Sequence, residues 1–465
     1  MDENLVKRAL LGGLADLLIN PDTSSKPYGQ LSLAALIGLY LWDYVDGREA
    51  RRYAQRYQHF TTQETTSDTS RDVSIVVPTV NWGPDLPANL LTWLINQPRE
   101  VILVTTDALA AQLQTDLEST PDLRQNMIKF DTDVIILTVE QANKRSQLCR
   151  GINAAQGRIV ALVDDDARWT TSRVLEHLLV PFHNEADNYG LVGGPIESFV
   201  PAERQNYNVI TGWEVAALRI RQRRRAGMRA FWAADRSTNF TVSGLTMLLR
   251  TEIVQDPYFQ YHFTHDMWNG MRQNTGDDGF ITRYILFKHQ LPHREFSSLE
   301  PNKQWRLGMQ LSPEAEVQTS LMTDNRFADQ SKRWYRSGLR LRLTCLLYEP
   351  GYRGFKLTAP YMARKMVGGM VSPLLTFLRL YLWYMAWINY PTIARCLILY
   401  VLWNYINSLR DFYRQFPYVG RKIWAAVVAD HLYLVSDIFS WVTLSSETWS
   451  NRSSVASVPN AGVGE

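Results

Sequence analysis

Cysteine and net charge are both scarce in this 465-residue chain. Its three cysteines, Cys149, Cys345 and Cys396, are widely spaced, which argues against a disulfide framework and against a cysteine-rich zinc or iron–sulfur site. The formal net charge is only +3, and 46% of the residues are hydrophobic. These values exclude a histone-like nucleic-acid binder and a largely disordered chain. We therefore expect no nucleic-acid partner and a folded protein of about two or three domains.

The sequence also lacks the common phosphate-binding loops. Short β-branched runs alternate with helix-like stretches in the middle of the chain, and these runs span residues 73–78, 100–106, 133–139 and 158–164. Neither GxxxxGK[ST] nor GxGxxG follows the first run, which disfavours a P-loop and a GxGxxG-type dinucleotide site. The alternation predicts an α/β domain at residues 61–347, with a parallel sheet that binds its ligand at the carboxyl ends of the strands.

Long apolar runs are confined to the two ends of the chain. In the N-terminal segment, residues 1–60, the stretch 28–45 is close to the length that crosses a bilayer, and an ordinary buried helix is an equal alternative. Arginines that follow this stretch favour a cytoplasmic side for the middle of the chain. The C-terminal region, residues 348–465, predicts about three further transmembrane helices, at 366–390, 392–409 and 423–444.

Ionisable residues interrupt the last of these apolar segments. Asp430, His431 and Asp437 are costly inside a bilayer, so this helix either lines a polar path or lies partly at the membrane surface. A basic run at residues 219–229 has three interpretations: a solvated face, a helix that touches anionic phospholipid, or a patch like a nuclear-localisation signal. Several membrane spans are hard to reconcile with a nuclear role, so the first two rank higher. The whole pattern predicts a multi-pass membrane protein with a cytosolic central domain.

Two acidic clusters and one basic cluster stand out as candidates for chemistry. Residues 164–166, all aspartate, leave a buried strand, where they either bind a hard divalent cation or cap a helix. Asp277 and Asp278 open an apparent helix, where one of them can act as a general base or both can complement the helix dipole. In the run 330–334, an arginine can neutralise a diphosphate and an indole offers a face for a sugar ring. A basic amphipathic helix on lipid is the alternative.

Taken together, these motifs resemble the processive family 2 glycosyltransferases, the group of hyaluronan, chitin and cellulose synthases. That family carries D, DxD, [TEG][ED]D and QxxRW motifs on a GT-A fold, and this chain has VDDDA at 163–167, GDD at 276–278 and QSKRW at 330–334. The segments VSGLTMLLRTEI, DDGFITR and TLSSETWSNR look similar to fungal type 2 glycosyltransferases akin to capsule polysaccharide synthases. The resemblance covers roughly residues 73–452, and it implies an α/β, Rossmann-like GT-A domain.

The resemblance also implies roles for the acidic residues. Asp164 and Asp166 would hold a divalent metal, Mg²⁺ or Mn²⁺, and the diphosphate of a UDP-sugar donor. Asp278 would be the general base, and Asp277 would help to orient it.

Further site residues follow from the resemblance. Gln330, Arg333 and Trp334 would close over the nucleotide and help to bind the acceptor. Asp107 matches the acid that contacts uracil, and Lys144 or Arg145 matches the basic position before the DxD strand. Ser243 and Gly244 match the acceptor loop, although the cysteine found there in some polymer synthases is absent and Val242 takes the neighbouring place.

The implied activity is inverting transfer from a UDP-sugar to a growing β-linked polysaccharide, coupled to export across the bilayer. Few crossings are predicted, so a homo-oligomer or interfacial helices would help to complete a pore. The expected location is the plasma membrane, with an internal secretory membrane as the alternative. Asn451 would then be an extracytoplasmic glycosylation site. The alternatives are a non-processive transferase that modifies a lipid or short acceptor, and a non-catalytic scaffold.

Overall fold

A computed structural model describes residues 27–61, 69–80, 82–83, 85–183, 188–290, 297–300 and 303–446. The strands in these residues are, in chain order, β1 Val73–Pro78, β2 Glu100–Thr106, β3 Asp133–Val139, β4 Ile159–Val163, β5 Ala167–Trp169, β6 Tyr189–Gly193, β7 Ile196–Phe199, β8 Thr246–Arg250, β9 Met267–Trp268, β10 Met271–Arg272, β11 Arg306–Met309 and β12 Val317–Ser320.

The α-helices of the same residues are α1 Pro27–Arg56, α2 Leu86–Leu94, α3 Asp107–Glu118, α4 Pro121–Phe130, α5 Lys144–Ala154, α6 Val174–Leu179, α7 Gly212–Asp235, α8 Thr251–Val254, α9 Pro257–Thr264, α10 Asp277–Phe287, α11 Arg326–Leu343, α12 Gly351–Thr358, α13 Pro360–Asn389, α14 Pro391–Gln415 and α15 Ile423–Val442. A π-helical turn, Thr344–Tyr348, continues α11.

The main sheet has the strand order β11-β6-β8-β4-β1-β2-β3. Strands β1, β2 and β4 are buried along their whole length, as their mainly apolar sequences predict for strands covered on both faces. One apolar cluster lies on each face of the sheet. The strands β3, β2, β1 and β4 run parallel, so the predicted α/β class is confirmed. The bounds of β1, β2 and β3 are those predicted, and β4 is one residue shorter at each end than the predicted 158–164.

The expectation of a wholly parallel sheet is wrong, because β8 runs antiparallel to both of its neighbours, β4 and β6. Val163 at the carboxyl end of β4 is paired with Thr246 at the amino end of β8. The antiparallel direction therefore brings the residues just before β8 to the edge where β4 ends. A smaller sheet, β5-β12-β7, lies beside this edge.

The terminal helices form a second assembly beside the sheet domain. Helix α1 packs along α13, and three acidic residues of α1, Asp43, Asp46 and Glu49, form ion pairs with basic residues of α13. Helix α7 of the central domain contacts both α1 and α15.

All four segments that the sequence predicts as membrane helices are helical. Within the described residues, two helical stretches are long and apolar enough to cross a membrane, Pro360–Asn389 and Pro417–Val442. The expected crossings at 28–45 and 392–409 lie on α1 and α14, which do not reach the same mean hydropathy. Asn451 lies outside the described residues.

The basic run at 219–229 is not simply solvated or lipid-facing. The side chain of Arg219 is 2% exposed and pairs with Asp430 of α15, which is 4% exposed, at 3.0 Å. Two further groups complete this polar contact, because Arg219 donates to the hydroxyl of Ser408 and Asp430 accepts from the hydroxyl of Tyr405. A charged residue of the third apolar segment is thus neutralised by the central domain.

Candidate active site

Lys144 joins the two acidic motifs. Its Nζ atom lies 2.9 Å from Oδ1 of Asp164 and 2.9 Å from Oδ2 of Asp277. The three side chains are largely withdrawn from solvent, with exposed fractions of 19%, 31% and 12%. Residues that are more than a hundred positions apart in the chain therefore meet at one point on the carboxyl edge of the sheet.

Local backbone features position these three groups. Lys144 begins α5, whose N-cap residue Asn143 accepts a hydrogen bond from the backbone of Ser146. Asp164 directly follows β4, and its backbone N–H donates to the carbonyl of Leu245. Asp277 begins α10 after Gly276, which has φ of +71° and so occupies a conformation that favours glycine.

The charges of this cluster shift one another's protonation. Burial, together with the facing carboxylates of Asp166 and Asp277, outweighs Lys144 and raises the pKa of Asp164 to about 7. Burial acts the same way on Asp277, but there Lys144 prevails and holds the pKa of the Asp277 carboxyl below its usual range. Burial alone would lower the pKa of Lys144, whereas its two carboxylate partners raise it.

The three aspartates of the DxD run differ in their contacts. The middle one, Asp165, accepts a hydrogen bond from the hydroxyl of Thr79 at 2.7 Å, and its backbone carbonyl accepts from Asn89. Asp166 accepts a hydrogen bond from the hydroxyl of Thr319 at 2.9 Å. Asp165 is therefore held by the residue after β1 and by α2, whereas Asp164, and not Asp165, meets the second acidic motif through Lys144.

The acceptor-loop residues lie beside the acidic pair. A Cβ atom added to Gly244 would stand 3.6 Å from both Cβ of Asp278 and Nζ of Lys144. Ser243 accepts a hydrogen bond from the backbone of Leu245, which shapes the turn into β8. The antiparallel direction of β8 is therefore what brings Ser243 and Gly244 to the site.

Helix α10 holds Asp278 in place relative to this loop. The backbone N–H of Gly279 donates to Oδ1 of Asp278 at 2.8 Å. Thr282, one turn later, donates to the carbonyl of Asp278 and accepts from the backbone of Val242. One hydroxyl thus connects the candidate base to the acceptor loop.

The QxxRW motif lies on α11, which packs against α10. Leu341 and Ser337 of α11 are the side chains nearest to Gly279 and Gly276, and the hydroxyl of Ser337 is hydrogen-bonded to Thr275.

The motif residues themselves occupy the preceding turns of α11. Gln330, Arg333 and Trp334 are all half-buried. The ring of Trp334 packs edge-on against Phe327, with 6.3 Å between the ring centroids.

Two predicted residues lie outside the central cluster. Asp107 is exposed at the start of α3, on the same edge of the sheet but separated from β4 by β1. Arg145 is 2% exposed and donates to the carbonyls of Phe263 and Thr275 and to Asp266. Of the two basic residues that match the family position, Lys144 meets the acidic motifs, whereas Arg145 braces the segment before α10.

Sequence reasoning did not identify Thr79 and Thr319. Thr79 directly follows β1, so its place at the carboxyl end of a parallel strand is a signal that could have been used. Thr319 is on β12, where pairing with Ala167 of β5 brings it next to Asp166. No sequence pattern links β12 to the DxD run.

The donor set fits a hard divalent cation that shares its coordination with a ligand. The described residues contain no group of three or more His, Cys, Asp or Glu side chains that could hold a metal by themselves. Asp164 and Asp166 provide oxygen donors. Burial first, and then the carboxylates of Asp166 and Asp277, raise the pKa of Asp164, and a cation bound there would favour the ionised carboxylate.

Comparisons with known proteins identify the family of the chain. Residues 70–290 match the family model described as glycosyltransferase like family 2. The chain is 30% identical over 417 residues to the NDP-glycosyltransferase ltbB of Aspergillus luteorubrus, across 89% of this chain and 96% of that protein. It is also 30% identical over 389 residues to a type 2 glycosyltransferase of Zymoseptoria tritici, across 82% and 75% of the two chains.

A similar solved structure is a mannosyltransferase, PcManGT from Pyrobaculum calidifontis, in complex with GDP-Man and Mn²⁺. The TM-score is 0.49 at 18% identity, with 86% of this chain and 96% of that chain covered. The family assignment depends instead on the family model and on the two fungal relatives, and it accounts for the mixed α/β sheet as a GT-A-like fold. The chain belongs to glycosyltransferase family 2, and it is a nucleotide-sugar glycosyltransferase.

Proposed function

We propose that the protein is a membrane-bound, metal-dependent inverting transferase that adds sugars from a UDP-sugar to a growing β-linked polysaccharide. The observation that carries this proposal is the bridge from Lys144 to Asp164 and Asp277, with Gly244 beside it. It joins a candidate donor site to a candidate base and acceptor loop within one cluster.

Asp278 is the general base of this proposal. Its carboxylate is half-buried and oriented by the N–H of Gly279, and Gly244 of the acceptor loop lies next to it. The carboxylate accepts the proton of that hydroxyl as its oxygen attacks the anomeric carbon of the donor. Asp277, held by Lys144, fixes the first turn of α10 and so the position of the base.

Asp164 and Asp166 would hold Mg²⁺ or Mn²⁺ together with the donor diphosphate. The metal, when bound, neutralises charge on the departing nucleotide. Arg333 and Lys144 contribute positive charge from the protein to the same diphosphate, and Asp107 contacts the uracil. Gln330 and Trp334 close over the nucleotide from α11 and help to bind the acceptor.

The terminal helices support a membrane location. Many large apolar side chains of α1, α13, α14 and α15 are exposed, which suits contact with lipid. We propose that α13 and α15 cross the bilayer, that α1 and α14 complete a multi-pass assembly, and that a homo-oligomer lines the export path. The plasma membrane is the proposed location, an internal secretory membrane is the alternative, and Asn451 is a proposed glycosylation site.

A second candidate is a non-processive transferase that acts on a lipid or a short acceptor. It is favoured by the burial of Asp430 against Arg219, because this carboxylate does not line a wet path for a polymer. The donor chemistry is the same in both cases. The scaffold alternative is not retained, because the relatives are glycosyltransferases.

The decisive experiment measures UDP release by the purified full-length protein with UDP-glucose, UDP-N-acetylglucosamine and UDP-glucuronate, each with and without Mg²⁺ or Mn²⁺. We expect release with one donor, which is lost on chelation and falls at least about 100-fold in Asp278→Asn. Asp411→Asn, an exposed substitution on α14, is the matched control. Full activity in Asp278→Asn would overturn the assignment of the base.

The length of the product separates the two candidates. A ladder or a high-molecular-weight product made from one donor supports polysaccharide synthesis. Addition of a single sugar to a lipid or a short acceptor supports the non-processive alternative instead.

A further inference from the structure

A cavity of about 650 Å³ lies on the side of α10 away from Asp278. It is enclosed by α9, the β9–β10 hairpin, α10, the π-helical turn after α11 and residues 444–445. Its volume is within the range of about 300–1,000 Å³ that is usual for ligand pockets. No role in the proposed transfer reaction uses it.

The cavity is separate from the transfer site. Phe280, Arg283, Tyr284 and Phe287 of α10 line it. At 100° per residue, these positions lie on the opposite face of the helix from Asp278. A ligand in the cavity would therefore not contact the candidate base.

Six of the sixteen residues that line the cavity are Phe, Tyr or Trp. Phe280 is 6% exposed and contributes to the floor. Trp268 of the hairpin and Tyr348 of the π-helical turn meet edge to face, with 6.5 Å between the ring centroids, and Tyr348 is 69% exposed. Two segments that are distant in sequence thus present aromatic surfaces at the mouth.

The charges of the cavity are paired within it. Arg283 forms ion pairs with Asp266, at 3.3 Å, and with Glu349, and all three side chains line the cavity. Arg283 is the only lysine or arginine among the lining residues, and two carboxylates face it. An anionic ligand such as a phosphate would therefore meet a neutral to slightly negative surface. A polyhydroxylated neutral ligand can hydrogen-bond to these planar charged groups and stack on the rings.

We propose that this cavity binds a neutral saccharide chain at a second site, apart from the site of transfer. This inference depends on the proposed function in one respect, because a sugar polymer is the acceptor or product that would supply such a chain. The second site would retain part of the chain beside α10 while the reacting end lies near Asp278.

The test measures the binding of cellopentaose, laminaripentaose and chitopentaose to the full-length protein by calorimetry, without donor. At least one pentasaccharide should bind, and Trp268→Ala with Tyr348→Ala should weaken that binding at least about tenfold. Both side chains are at the mouth of the cavity, so the fold should tolerate their loss. Tyr352→Ala, an exposed tyrosine that does not line the cavity, is the control and should bind as the wild type does.

Three results would overturn the proposal. They are a folded wild-type protein that binds none of the pentasaccharides, binding that survives the double substitution, and competition by glycerol 1-phosphate, which would indicate a phosphate site. UDP release is measured on the same samples. If the wild type releases UDP but binds no saccharide, only the second site is excluded. If the wild type releases no UDP with any donor, the proposed function is contradicted.

Discussion

At the scale of single residues, Lys144 compensates carboxylates from two different motifs. Replacing it by methionine would leave Asp164 and Asp277 buried without their common partner. We expect Lys144→Met to lower the free energy of unfolding by about 2 kcal/mol, since an uncompensated charge in a largely buried pair is costly. Chemical denaturation of the purified protein measures this change.

The control for Lys144→Met is Lys332→Met. Lys332 forms a comparable ion pair with Asp329, at 3.0 Å, but both side chains are more than a third exposed. Such a surface pair contributes at most about 1 kcal/mol. Equal decreases in the free energy of unfolding in the two variants would show that the ion pairs of Lys144 stabilise the fold no more than a surface pair does.

The raised pKa of Asp164 predicts a dependence of stability on pH. The pKa of an unperturbed aspartate side chain is 3.8, whereas that of Asp164 is about 7 in the folded, metal-free protein, so between these values the folded state binds more protons than the unfolded state. The contribution of Asp164 to stability is therefore largest below about pH 4 and is lost as the pH rises to 7.

Asp164→Asn should remove this part of the pH profile. We expect Tm in chelator to fall less between pH 4.5 and 7 in the variant than in the wild type, with Asp411→Asn behaving as the wild type. Parallel profiles of Tm against pH in the wild type and Asp164→Asn would contradict the raised pKa of Asp164.

At the scale of secondary-structure elements, the Arg219–Asp430 pair attaches α15 to α7. Because both side chains are almost fully buried, we expect Asp430→Asn to cost about 3 kcal/mol in unfolding experiments in detergent. The control, Asp411→Asn, removes the exposed partner of Arg414 and should have little effect. The double variant Arg219→Met with Asp430→Leu should lose less unfolding free energy than the sum of the losses in Arg219→Met and in Asp430→Leu. A loss equal to that sum or larger would argue against a direct pair.

The type and approximate position of these elements were the most predictable part of the fold, although α1 extends to Arg56, beyond the predicted 28–45. The β-branched runs predicted β1 to β4, and the apolar runs predicted the four terminal helices, because both signals are local. The antiparallel direction of β8 was not predictable in this way, since pairing is a tertiary property. Similarly, the basic run that includes Arg219 suggested a solvated or lipid-facing surface, and its partner Asp430 lies 211 positions along the chain.

The site was predictable to the extent that motifs and strand ends mark it. Asp164 and Asp277 were identified from such positions, and the structure brings them together through Lys144. The contact of Thr319 with Asp166 depends on a second sheet that no local pattern reveals. The separate orientation of Arg145 was not predictable from the sequence motif, because neighbouring residues on a helix point in different directions.

At the scale of the whole molecule, the proposed membrane location predicts that α13 and α14 cross the bilayer in opposite directions. They are joined at Tyr390, and Thr392 is exposed at this turn. If α13 crosses, Thr392→Cys should react with an impermeant maleimide in intact cells, while Arg414→Cys should react only after permeabilisation. The native cysteines are first replaced by alanine. Surface staining first establishes that the protein is in the plasma membrane, because an internal location would also protect both positions. In such cells, labelling of both positions only after permeabilisation would indicate a hairpin that does not cross.

The connection between α11 and the end of α15 has a consequence for how the sequence can vary. Arg340 donates to the backbone carbonyls of Leu444 and Ser446, and Arg336 donates to the carbonyl of Ser446. A peptide carbonyl is present whatever the side chain. Residues 444 and 446 can therefore change during evolution without loss of these hydrogen bonds, whereas replacement of Arg336 or Arg340 would remove them.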